Sequence, residues 1–157
     1  MMERGIQYYE WDMIEESILE FNNVTHALGS QSKKLDYSKI KLLSNTRSAI
    51  KIWVQENLNL QDRIYIPSYI CSDLTIPLTE MGQSITYYPC KANLEPDWEW
   101  LENNITNDGK ALLLVHYFGF PNNIEHAVKF ANHHQIILLE DCAHSFLTRV
   151  QLSLIHI

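Results

Sequence analysis

The sequence predicts an α/β domain, a three-layer αβα arrangement on a mostly parallel sheet. Two observations predict it. From about Ser44 onward, short β-rich runs alternate with helical patterns of about 10–13 residues, the order of βαβ units. The strand candidates are also apolar without alternating, which suits strands covered on both faces.

The elements follow in order. Ile50, Trp53, Val54 and Leu58 recur at helical spacing, so Arg47–Leu58 reads as an amphipathic helix. Arg63–Ile66 is rich in β-formers, and Pro67 should stop it. Cys71, Leu74, Leu78 and Met81 mark a second helix, closed by Gly82 and kinked by Pro77. Ile85–Tyr88 is the next strand and Asp97–Asn103 a short helix, with Trp98 and Trp100 packing on the domain. Ala111–Val115 is a buried strand. Ile124, Ala127, Val128 and Ala131 mark a further helix, and Ile136–Leu139 is a last apolar strand. The first 43 residues differ. Gly5–Asp12 alternates loosely, Met13–Phe21 fits a short helix, and the polar, basic Ser30–Lys41 reads as a linker.

The chain of 157 residues suits one domain. Lys plus Arg number 12 against 19 Asp plus Glu, so the net charge is −7 and a nucleic-acid binder relying on a basic face is not expected. No run approaches the roughly 20 apolar residues of a membrane span. The start, Met1-Met2-Glu3-Arg4-Gly5, lacks the plan of a signal peptide. Cys71, Cys90 and Cys142 are odd in number and form no Cys-x-x-Cys, so neither a disulfide framework nor a zinc site is expected, and a cytoplasmic location fits. Without a secretory signal, the sequons at Asn23 and Asn104 are not read as glycosylated. His126, His133 and His134 lack the spacing of four that a helical zinc pair needs, and read as a solvated helix end.

In open parallel sheets, ligands bind at the carboxyl ends of strands. Two chemically rich segments fall there: His116-Tyr117-Phe118-Gly119 after one strand, and Glu140-Asp141-Cys142-Ala143-His144-Ser145 after another. A carboxylate at such a place needs a cation or hydrogen bonds. Asp141 alone is explained as a cap or a salt-bridged loop acid, and His144 alone as a hydrogen-bonded loop residue. Together, three residues apart across a tight turn, both can face one ligand. A third segment, Ser44-Asn45-Thr46-Arg47-Ser48-Ala49, stands at a helix start. Free N–H groups, Arg47 and the hydroxyls of Thr46 and Ser48 suit a phosphate there. The simpler account is an ordinary cap by Ser44 or Asn45.

In this order, the segments resemble the N-terminal part of the DegT/DnrJ/StrS-type family of pyridoxal-phosphate (PLP) sugar aminotransferases. The resemblance runs from about Lys41 to Ser145. It includes Ser44–Ile50, Ile64-Tyr65-Ile66-Pro67-Ser68, Gly82, Val115-His116-Tyr117-Phe118-Gly119-Phe120-Pro121 and Leu139-Glu140-Asp141-Cys142-Ala143-His144-Ser145. It implies the large domain of a PLP fold type I enzyme over residues 44–151, with residues 1–43 as an N-terminal strand, helix and linker. It implies that Asp141 pairs with the ring nitrogen of PLP, that His144 bonds the phenolic oxygen, and that Arg47 and Ser48 hold the phosphate. An aromatic four residues after the Pro often stacks on the ring. Cys71 stands there, so Tyr69 is the alternative. Thr46 replaces a usual Gly.

The family's Schiff-base lysine lies downstream of Asp141, and no lysine follows Asp141 here. No catalytic residue is therefore assigned, and this stretch alone is expected to be inactive. Residues 152–157, Leu-Ser-Leu-Ile-His-Ile, match one reading frame of a sequencing-library adaptor and are expected to be non-native. The resemblance further implies a nucleotide-sugar substrate, an amino donor such as glutamate, a role in cell-surface polysaccharide or deoxy-amino-sugar biosynthesis, and a homodimer. No nucleic-acid or membrane partner is expected. Three alternatives stand beside it: a sugar dehydratase of the same fold, in which His replaces the lysine; a non-catalytic regulatory or interaction module; and an unrelated flavodoxin-like domain that binds a phosphate-bearing ligand at the Ser44–Ser48 helix start.

Overall fold

Asn45 sets the start of the first helix: its Oδ1 accepts the Ser48 N–H at 2.8 Å, satisfying one orphan amide of the first turn. The structure, a computed structural model, describes residues 43, 45–145, 149–150 and 153–154. The expected N-terminal strand, helix and linker, and Ser44, lie outside the described residues.

Helix α1 is Thr46–Asn57, followed by β1 (Arg63–Pro67), α2 (Ser72–Glu80), β2 (Ser84–Tyr88) and α3 (Trp98–Asn104). Then come β3 (Gly109–Val115), a 3₁₀ turn at Tyr117–Gly119, α4 (Ile124–His134) and β4 (Ile137–Asp141). A two-residue antiparallel pair, β5 (Arg149–Val150) and β6 (Ser153–Leu154), follows. The main sheet is parallel throughout, in the order β2-β1-β3-β4. This is the predicted α/β class.

Alternate positions of each strand enter opposite cores. Ile64 and Ile66 of β1 and Ala111, Leu113 and Val115 of β3 pack with Ile50 and Val54 of α1 and Leu74 and Leu78 of α2. Tyr65 and Leu112 face the other way, with Tyr88, Leu101 of α3, and Phe130 and Ala131 of α4. Both faces are covered, so β3 shows no polar alternation.

Several boundaries differ from the sequence reading. Pro67 was expected to stop β1 but is its last residue. Ser68 N–H bonds Tyr88 O at 2.8 Å, so in this parallel pair the even-numbered amides point to β2 and the missing N–H of Pro67 points toward β3. Pairing with β3 ends at Tyr65, so no ladder bond is lost. Pro77 lies inside α2 without ending it. Cys71 is the residue before α2, and Gly82, at φ +79°, takes the left-handed turn after it. Strand β3 begins two residues earlier than predicted because a register shift absorbs exposed Lys110. The histidines of α4 are not simply solvated. His126 lies 4.5 Å from the Trp98 ring, and His134 lies 4.5 Å from Phe130 and 2.8 Å from a Glu102 carboxylate oxygen.

Candidate functional site

The strand order contains a reversal. After β1 the chain crosses to β2 on one side, then returns to β3 on the other. Ligands bind at the carboxyl ends of strands where such a reversal opens a crevice. The loops leaving β1 and β3 meet there. Tyr117 donates its phenolic O–H to the Tyr69 carbonyl at 2.5 Å, and the two rings meet edge-on at 5.5 Å. Tyr117 is buried, which pushes its phenol well above the usual range. The neighbouring Cys90, Asp141 and Tyr69 add to the rise.

Helix α1 brings its start to this same edge. It feeds β1 from the strand's amino end, so it runs antiparallel to the strand, and its first turn lies over the carboxyl ends. The Arg47 guanidinium reaches Asp73, in the first turn of α2, at 3.8 Å. Both side chains are largely exposed, so this pair contributes little and leaves the guanidinium available to an anion. Ser48 sits in the same first turn.

Asp141 ends β4. Two positions earlier Leu139 packs on the α1–α2 core, so the pleat points Asp141 toward the same face, where Tyr117 also lies. Its residue is 8% exposed. Oδ1 accepts the Ala143 N–H at 2.9 Å, and among the described residues no cation pairs with this carboxylate. A largely desolvated anion without a cation is costly unless a ligand supplies one. Nearby, the Ser145 hydroxyl is buried beside the Cys142 thiol.

The remaining candidates form a rim. His144 is exposed and stacks on Phe118, centroids 5.5 Å apart and planes within 19°. Phe118 contacts Tyr117, which contacts Tyr69. Cys71 is exposed at the start of α2. The sequence placed Phe118 in the segment after β3 but gave it no role of its own. Its backbone is left-handed (φ 53°, ψ 29°), a conformation a bulky residue adopts only under constraint. Phe118→Gly should raise stability by about 0.5–1 kcal/mol by removing that strain, while erasing the ring-current shift on the His144 protons, both readable by thermal melts and NMR.

On the opposite face of β4, His116 Nε2, a Glu140 carboxylate oxygen and Cys142 Sγ lie within 4.8 Å of one another. The polarity does not suit a metal. His116 Nδ1 accepts the Asn122 N–H at 3.0 Å, so the ring proton sits on Nε2, the nitrogen facing the cluster. The Cys142 thiol is pushed up to about 11, first by burial, then by Glu140, with Asp141 adding to the rise. The raised value means that this thiol stabilises the fold below its ordinary value of 9.0, a contribution lost as pH climbs through about 11. Iodoacetamide at about pH 8 should therefore label exposed Cys71 and spare Cys142, as peptide mapping would show.

A cleft of about 430 Å³ opens at the other edge of the sheet, lined by Val54, Gln55, Leu58, Leu60, Met81 and Gln83. It includes none of the candidate residues. No helix among the described residues is long and apolar enough to cross a membrane.

Residues 83–152 match the model of the DegT/DnrJ/EryC1/StrS aminotransferase family. The chain is 35% identical over 81 residues to GDP-4-keto-6-deoxy-D-mannose 3-dehydratase of Escherichia coli O55:H7, covering 51% of this chain and 21% of that protein. It is 39% identical over 46 residues to GDP-perosamine synthase of E. coli O157:H7, covering 29% and 13%. The chain thus spans about a fifth or less of these relatives. Among solved structures, the E. coli GDP-4-keto-6-deoxy-D-mannose-3-dehydratase with bound hydrated PLP superposes with a TM-score of 0.62 and 26% identity, over 69% of this chain and 30% of that one. The fold is that of PLP fold type I enzymes.

Proposed function

We propose, from the premise that residues 83–152 belong to the DegT/DnrJ/EryC1/StrS aminotransferase family, that this chain is the cofactor-holding part of a PLP-dependent enzyme acting on a nucleotide-linked keto sugar. The amino group would come from a donor such as glutamate, in a cytoplasmic homodimer serving polysaccharide or deoxy-amino-sugar biosynthesis. The observation that carries the reading is Asp141: a nearly buried carboxylate at the carboxyl edge of a parallel sheet, with no cation among the described residues.

The residues present fit the group. PLP brings a protonated ring nitrogen and a phosphate ester, and so supplies an electron-accepting ring when bound. The Asp141 carboxylate would hold the proton on that nitrogen, since an opposite charge at contact favours both charged forms. The Ala143 N–H fixes the carboxylate's orientation. Arg47 and the first turn of α1, with Ser48, would bind the phosphate at a helix start already biased toward anions. His144, packed by Phe118, would donate to the phenolic oxygen. Tyr69 and Cys71, on the loop after β1, would cover the ring and exclude water. To these residues the reading assigns cofactor binding.

Sugar dehydration is the second reading, supported by the 35% identity to a dehydratase. The residue at the Schiff-base position of the intact protein separates the two: lysine for transfer, histidine for dehydration. Titration of the chain with PLP, followed by its absorbance and competed by inorganic phosphate, tests the common part. Saturable binding that phosphate weakens is expected, and its absence would refute cofactor holding.

A further inference from the structure

The α4-side face of the sheet holds a buried group that the proposed function does not use. His116 is fully buried, and both its ring nitrogens are engaged. Nδ1 accepts the Asn122 backbone N–H at 3.0 Å. An imidazolium has no lone pair to accept with, so the ring is neutral and carries its proton on Nε2. That proton points to Glu140, 3.1 Å away. The contact is therefore a charge-assisted hydrogen bond from a neutral imidazole rather than an ion pair. Asn122 is fixed in turn, because its side-chain amide donates to Val115 O at 2.7 Å.

The same residue grips the neighbour of Glu140 through its backbone. His116 N–H donates to the Asp141 carbonyl at 3.0 Å. Two consecutive residues of β4 are thus held by one residue of the β3 exit, one through the ring and one through the main chain. The two grips lie on either side of the peptide that joins Glu140 to Asp141.

We infer that His116 is a positioning residue for Asp141: a neutral, Nε2-protonated strut, braced by Asn122, that holds Glu140 and so fixes the end of β4 from which the Asp141 carboxylate projects. Its consequence for the cofactor rests on the proposed function; the strut itself does not. Tightening the carboxylate's position limits the geometries it samples and favours the one that a ring nitrogen can meet. Glu140→Gln keeps an oxygen that can accept the Nε2 proton. Glu140→Leu keeps similar volume but removes the acceptor and leaves a buried donor unpaired.

The test uses the full chain, ¹⁵N-labelled at histidine, at neutral pH. Long-range proton–nitrogen correlation should show His116 neutral with the proton on Nε2, the signal being identified by its loss in His116→Gln. A proton on Nδ1, or an imidazolium, overturns the strut. Hydrogen exchange at the His116 amide should accelerate at least about tenfold in Glu140→Leu and stay within about twofold of the parent in Glu140→Gln. Equal protection in both variants overturns it. PLP affinity should fall about tenfold in Glu140→Leu and recover in Glu140→Gln; a Glu140→Leu affinity equal to the parent's refutes the positioning role. A parent chain with the stated tautomer and exchange pattern but no PLP binding refutes the proposed function and upholds the strut.

Discussion

Asp141→Asn should weaken PLP binding by about a hundred- to a thousandfold while leaving the fold intact. Two unit charges about 4 Å apart attract by about 4 kcal/mol at an effective dielectric constant of 20, which is about three powers of ten in affinity. The asparagine keeps an oxygen for the Ala143 N–H, so the turn that carries His144 and Ser145 retains its bond. The variant therefore removes a charge without removing a structural contact. Equilibrium titration with PLP measures the loss, and a thermal melt checks the fold. An affinity equal to that of the parent would mean that no charged ring nitrogen meets this carboxylate. Removal of the turn contact as well, in Asp141→Ala, should lower the melting temperature in addition.

The second large effect concerns Tyr65, in the middle of β1. It is fully buried, and its phenolic oxygen accepts the Thr106 N–H at 2.9 Å and reaches Asn104 O at 3.3 Å. Tyr65→Ala should cost about 3–5 kcal/mol, from the lost ring and from the backbone groups left unpaired. Gly109 lies against this ring: a Cβ there would stand 2.8 Å from Tyr65 Cε2 and 3.0 Å from Thr106 O. Gly109→Ala should cost about 1–3 kcal/mol in the parent, and much less once the tyrosine is gone. A double-mutant cycle by chemical denaturation measures that coupling. Additive effects would show that the Thr106 carbonyl, rather than the ring, excludes a side chain at position 109.

What the sequence made legible follows from what periodicity encodes. Ile50 and Val54 lie one helical turn apart and both reach the core, and Ala111–Val115 is apolar at every position because both faces are covered. Those patterns set the class of fold and the carboxyl-edge location of Asp141. Boundaries were less legible because caps are local polar choices. Ser44 and Asn45 are both good caps by residue type, and only the folded structure shows the Asn45 bond. Lys110 hid the true start of β3, since a bulge places one charged residue outside the ladder without ending the strand. The His116–Glu140 contact joins residues 24 apart in the chain, and no local pattern records which strand will lie beside which. Phe118 stood in a segment the sequence singled out, but its left-handed backbone was not legible, because a phenylalanine is held there by its surroundings rather than by its own preference.

The all-parallel main sheet has a consequence for how the chain reaches this state. Arg63 must find both Ser84 and Gly109, and Ala111 must find Ile137, with no tight hairpin to bring any of these partners together. Each contact closes a long loop before its reward arrives. Refolding from denaturant should accordingly be slow for a chain of this size, and the β1–β3 pairing, which spans the longest stretch of sequence, is the step most exposed to competition from intermolecular association while it waits.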